Sequence, residues 1–144
     1  MRRIKRILET KGHDIWSIEP SATVYEAVHL LAEKKIGALL VMKKDQLVGI
    51  FSERDYARQI ILKDRSSEAT RVEEIMTNKV IHVQPNDEIG DCMALMTEHR
   101  IRHLPVIDKK KVVGMISIGD LVRAVIAEQQ STINDLEKYI SGQA

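Results

Sequence analysis

A mixed α/β (α+β) fold, made of two copies of one β-α-β-β-α unit, is predicted by three observations on the 144-residue sequence. The chain repeats itself, each copy changes its hydrophobic period in the same order, and a polar stretch separates the copies. Residues 17–58 lie over residues 82–123 without a gap, at a constant offset of 65 that pairs Pro20 with Pro85, Gly49 with Gly114 and Asp55 with Asp120. A unit of about forty residues seldom buries enough apolar area to stand alone, so the copies are expected to pack on each other.

The elements follow in order. "RIKRILET" and "RVEEIMTN" are short amphipathic lead-ins ahead of each copy, and "IWSI" and "VIHV" read as short strands before Pro20 and Pro85. "TVYEAVHLLAEKK" places Val24, Ala27, Val28, Leu31 and Ala32 at helical spacing, as "EIGDCMALMTEH" places Ile89, Cys92, Met93 and Met96. Two apolar runs joined by a charged turn come next, "ALLVM-KKDQ-LVGIF" and "LPVI-DKKK-VVGMI", each a hairpin rich in Val, Ile and Leu. "SERDYARQIILK" and "SIGDLVRAVIAEQQ" return to the helical period, and "STINDLEKYISG" reads as a terminal helix with Ile133, Leu136 and Ile140 on one stripe. The expected division is 1–65 for the first copy with its lead-in helix, 66–128 for the second, and 129–144 for a helical tail.

Composition narrows the function. The charge is +1, from 22 Lys and Arg against 21 Asp and Glu, so no overall field draws the chain to nucleic acid or acidic lipid. The lone Cys92 forms no internal disulfide and sits on a core-facing helix position, where a buried, inert thiol is expected. No signal peptide is evident and no apolar run approaches the roughly 20 residues of a membrane span, so a soluble cytoplasmic protein is expected. The five histidines are scattered without metal-ligand spacing, and neither a phosphate-binding glycine loop nor a hydrolytic triad is present. Neither a metal site nor enzymatic activity is expected.

What the two copies do share is "GIFSERD" and "GMISIGD", each ending in Ser-x-x-Asp behind an apolar strand. That spacing is close to a capping box, in which the serine starts a helix and a carboxylate reaches back. The reciprocal box favours the longer Glu or Gln, which counts against capping as the whole role of Asp55 and Asp120. A carboxylate also offers two acceptor oxygens, enough for the two vicinal hydroxyls of a ribose.

The β-α-β-β-α order, "IMT" at residues 75–77, "HLPVID" at residues 103–108 and the doubled Gly-x-x-Ser-x-x-Asp together resemble the cystathionine β-synthase (CBS) domain over about residues 4–126. A tandem pair is known as a Bateman module. The resemblance implies a pseudo-twofold pair packed through its sheets, with clefts for adenosine ligands such as AMP, ADP, ATP, NAD(H) or S-adenosylmethionine. It assigns the ribose to Asp55 and Asp120, and phosphate to Ser52, Ser117, Arg102 and His103. The first copy has Gly37 and Ala38 where the second has Arg102 and His103, while Arg54 supplies a cation where the second copy has Gly119, so unequal clefts are expected. Ala22, Ala27 and Ala38 are the candidates for an adenine cradle. The implied function is that of a regulatory nucleotide sensor, a homodimer that signals to an unidentified regulated protein. The alternative is a constitutive protein-interaction scaffold with vestigial clefts.

Overall fold

The apolar runs on either side of Lys44 pair as β2 (Ala38–Lys43) and β3 (Gln46–Ser52), and their repeats pair as β4 (His103–Asp108) and β5 (Lys111–Ser117). The computed structural model describes residues 2–142. Both hairpins have one register: Ala38 opposite Ser52 and Val41 opposite Gly49 in the first, His103 opposite Ser117 and Val106 opposite Gly114 in the second. Even the irregularity repeats, between Val41 and Met42 and between Val106 and Ile107. Left-handed Lys44 (φ 57) and Lys109 (φ 49) turn the two hairpins. The strands expected ahead of the copies are shorter than the apolar patterns. β1 (Ser17–Ile18) runs parallel to β2, and in the second copy one bridge from Val83 to Val106 takes its place.

Helices α2 (Val24–Lys34) and α5 (Ile89–His99) cover one face of each hairpin. Thr23 caps the first by accepting the Glu26 N–H at 3.1 Å, and both helices stop at a left-handed residue, Lys35 or Arg100. Two cores result. Val24, Ala27 and Leu31 pack with Leu39, Val41 and Phe51 in one, and Ile89, Cys92 and Met96 pack with Leu104, Val106 and Ile116 in the other. Val28 is half-buried at the edge of the first core, while Ala32 is exposed; both also line a groove beside Tyr56. Leu40 and Pro105 are buried although they belong to neither core, so the opposite sheet faces are covered as well. The copies meet at the strand starts, where Gly37 lies against the His103 ring.

The lead-ins are exchanged between the cores. Helix α1 (Ile4–Lys11) precedes the first copy in sequence, yet Ile4, Ile7 and Leu8 belong to the second core. Helix α4 (Val72–Ile75) precedes the second copy, and Val72 and Ile75 belong to the first core. Backbone hydrogen bonds fix both: the Ile4 and Lys5 N–H groups donate to Asp87 and Pro85 carbonyls at 2.9 Å, while those of Val72 and Glu73 donate to Ala22 and Pro20. Grouping α1 with residues 1–65 therefore follows chain order and not packing. Each lead-in crosses its hairpin over a glycine. A Cβ on Gly49 would stand 2.5 Å from Met76 Sδ, and one on Gly114 would stand 2.6 Å from Leu8 Cδ2.

The return helices differ most. In the first copy α3 (Glu53–Tyr56) widens into a π-helical stretch over Ala57–Ile61 instead of one regular helix. In the second, α6 (Ile118–Ile140) runs for 23 residues without a break, so the expected tail at 129–144 is the outer half of one helix as far as it is described.

Gly49→Ala is expected to lower stability by about 1–3 kcal/mol in urea denaturation, because the new methyl overpacks the crossing. Adding Met76→Ala should lose less than the sum of the two single effects, since it removes the nearest clashing atoms.

Candidate ligand site

Each hairpin ends on a serine with an extended backbone, and the chain then turns into a helix whose first N–H groups need acceptors. Ser52 Oγ accepts the Asp55 N–H at 3.2 Å and Ser117 Oγ accepts the Asp120 N–H at 3.1 Å. In return Asp55 Oδ2 and Asp120 Oδ2 each accept the serine N–H at 2.9 Å. The short aspartate thus closes the reciprocal box, against the expectation that a longer side chain is needed: the extended serine turns its own N–H toward the helix start. Cap formation engages one oxygen of each carboxylate.

The second oxygen separates the copies. Asp55 Oδ1 accepts a long 3.3 Å bond from Thr77 Oγ1, a neutral partner. Asp120 Oδ1 instead takes Arg123 at 2.7 Å, and Lys11 Nζ adds a second cation on Oδ2 at 2.7 Å. The cause lies in the lead-ins. Helix α1 continues to Lys11, which also donates to the Met115 carbonyl at 2.9 Å. Helix α4 stops at Ile75, and Thr77 passes into backbone pairing with Ile50.

Gly119 completes the difference. A Cβ there would lie 3.3 Å from Arg123 Nη1, so the glycine leaves space for the guanidinium to fold back over the helix start. Arg54 occupies the equivalent place in the first copy, and its guanidinium donates to the Arg100 carbonyl at the end of α5. The cation expected to stand beside Asp55 for phosphate is therefore directed across the boundary between copies.

Asp120 is buried, 7% exposed. Burial pushes its carboxyl up, but Lys11 and the Ser117 N–H outweigh that and hold it below the ordinary value. Burial pushes His103 down, against the pull of Asp120, and Lys11 and Arg102 reinforce the shift. The second copy thus gathers Ser117, Asp120 and His103 with Lys11, exposed Arg102 and Arg123, a carboxylate surrounded by basic groups. Around Asp55 the partners are neutral hydroxyls.

Of the adenine candidates, Ala38 is fully buried opposite Ser52 and Ala22 is half-buried beside the first core. Ala27 and Ala38 are corrections: both are fully enclosed, Ala27 within that core, so their methyls pack on protein and offer no surface to a ligand. Two grooves, of about 390 Å³ between α2 and α3 and about 480 Å³ between α5 and α6, touch neither aspartate. Lys11 escaped the sequence reading because it lies in a lead-in, outside the gapless repeat, and Thr77 entered it only within "IMT", with no site role. Arg123 was visible only as one of the repeated positions.

Paired hairpin-and-helix units, each closing on a Ser-x-x-Asp cap, define a tandem β-α-β-β-α module. The family model "CBS domain" matches residues 4–62 and 72–127, and the chain belongs to the CBS-domain family. It is 48% identical to the Arabidopsis thaliana "CBS domain-containing protein CBSX3, mitochondrial" over 96% of this chain and 72% of that protein. A solved CBS-domain protein from Burkholderia ambifaria superposes with a TM-score of 0.86 at 55% identity, covering 89% of this chain and 96% of that one. The fold is also that of the CBS domain pair of protein MJ0100, with a TM-score of 0.79 at 24% identity over 89% of this chain and 98% of that one. No helix among the described residues is long and apolar enough to cross a membrane.

The shifts fix the sense of the pH dependence. His103 stays neutral in the folded state more readily than its ordinary value of 6.5 allows, so its contribution is complete above that pH and fades below it. Asp120, held down from 3.8, contributes fully above that value and loses the contribution as pH falls through its lowered pKa. Urea denaturation in pH steps should show stability falling with acid in two stages, the first removed by His103→Gln and the second flattened by Asp120→Asn.

Proposed function

We propose that this chain is a regulatory sensor of adenosine ligands with two unequal sites. The observation that carries the reading is the contrast between the aspartates: Asp55 holds an oxygen toward neutral Thr77, while Asp120 is paired with the cations Lys11 and Arg123 and has His103 close by. A carboxylate oxygen with only a weak neutral partner suits ribose hydroxyls, and a cluster of cations suits phosphate. Asp55 with Ser52 and Thr77 takes the ribose of an adenosine group; the second site takes a phosphorylated ligand such as AMP, ADP, ATP or NAD(H), with Ser117, Arg102 and His103 on phosphate. The MJ0100 pair, which was solved in complex with 5′-methylthioadenosine and S-adenosyl-L-methionine, supports an adenosine ligand in general.

In this reading the module is non-catalytic and dimeric, and it transmits occupancy to a regulated protein through a difference in ligand affinity between two conformations. Whether it works in the cytoplasm or, as the name of the Arabidopsis relative says of that protein, in the mitochondrion is decided by imaging the tagged full chain. A second reading, a scaffold with vestigial sites, is favoured by one feature: Lys11 and Arg123 already occupy Asp120.

Thermal-shift and calorimetric titration with AMP, ATP, NADH and uncharged 5′-methylthioadenosine separates the two. A sensor gains about 2.7 kcal/mol at a ligand concentration a hundred times Kd. Asp55→Ala should weaken 5′-methylthioadenosine at least tenfold, and Asp120→Ala should weaken the phosphorylated ligands. No stabilisation by any of the four establishes the scaffold.

A further inference from the structure

Only the start of the outer half of α6 faces its own chain, where Gln129, Thr132 and Ile133 line a groove against Ile89 and Met93 of α5. Every residue from 129 to 140 is exposed, yet the segment carries Ile133, Leu136, Tyr139 and Ile140. A helix of that length is marginal in water without tertiary cover. Its apolar residues are also ordered. Ile126, Ile133 and Ile140 recur at heptad spacing, and Val122, Gln129 and Leu136 fall four positions ahead of them, which are the a and d positions of a coiled-coil seam. Such a seam accepts another helix.

We propose that a second copy of this chain lies antiparallel along α6, with the twofold axis near Ser131. Ile126 then faces Leu136 of the second copy, Ile140 faces Val122 and Ile133 faces Gln129, so every β-branched a position meets a d position. The flanking positions agree. Arg123 faces Glu137 of the second copy, an opposite-charge pair, and Val125 faces Tyr139, an apolar one; symmetry makes each contact twice. A parallel pairing sets Gln129 on Gln129, Val125 beside Gln130 and Thr132 beside Glu137, with neither benefit.

Two details of the isolated chain fit this occupant. Val125 lines the groove of about 480 Å³ between α5 and α6 together with Ile89 and Met93, an apolar recess for the Tyr139 ring of the second copy. Arg123 binds Asp120 at 2.7 Å while remaining 72% exposed, and a guanidinium has donors enough to serve a second carboxylate. The seam, about 27 Å from Val122 to Ile140, thereby ends on a residue that holds the second aspartate.

The test uses the full chain with cysteines at the seam, native Cys92 being fully buried. Ile126→Cys and Leu136→Cys chains are mixed under reducing conditions and then oxidised. The mixture is expected to give the mixed disulfide dimer and either variant alone to give little, because like positions stand about 15 Å apart along the axis. Efficient cross-linking of Ile126→Cys with itself means a parallel seam and overturns the proposal, as does absence of the mixed disulfide. By light scattering the unmodified chain should be a dimer and Ile133→Glu a monomer that still unfolds cooperatively. A monomeric unmodified chain, or a dimer that survives Ile133→Glu, also overturns it.

Discussion

Two close crossings hold this molecule together: Leu8 of α1 over Gly114, and Met76 after α4 over Gly49. A Cβ at either glycine would force the crossing side chain to shift, and each crossing brings apolar residues of a lead-in into the core of the other copy. Because α1 serves the second core and α4 the first, neither copy is complete without chain from beyond its repeat. The exchange converts a sequence repeat into one folding unit, and hydrophobic burial across the chain ends supplies the driving force.

The same crossings decide the electrostatics of the candidate site. Where α1 continues one turn past the crossing, it delivers Lys11 to Asp120; where α4 stops short, it delivers Thr77 to Asp55. Two cap aspartates with identical backbone roles thereby acquire opposite surroundings, one among ammonium, guanidinium and imidazole, the other beside hydroxyls. A cap and a ligand site are compatible in such an arrangement, since the helix start uses one carboxylate oxygen and leaves the other to its environment. Gly119 and Arg54 widen the contrast. One leaves room for a guanidinium to fold onto its own aspartate, and the other reaches across to a helix end of the opposite copy.

The second-copy return helix carries the asymmetry outward. A π-helical turn ends the first copy near Ile61, whereas α6 continues to Ile140 and places an apolar heptad stripe in solvent. The residue at the inner end of that stripe, Arg123, is also a partner of Asp120.

The sequence by itself determined the repeat, the element order, the two hairpins and the two helix starts, because each depends on residues close in the chain whose apolar period or turn chemistry is local. It also marked Asp55 and Asp120 as the positions to examine and showed that the copies differ at Gly37, Arg54, Arg102 and Gly119. Tertiary structure decided which lead-in serves which core, and with it that Lys11, absent from every motif, and Thr77, the last residue of "IMT", stand beside the aspartates. It likewise took Ala27 into the core and turned Arg54 onto Arg100. Those outcomes rest on contacts between residues up to 109 positions apart, as in Lys11 and Asp120, and no periodicity or local spacing encodes a contact of that range.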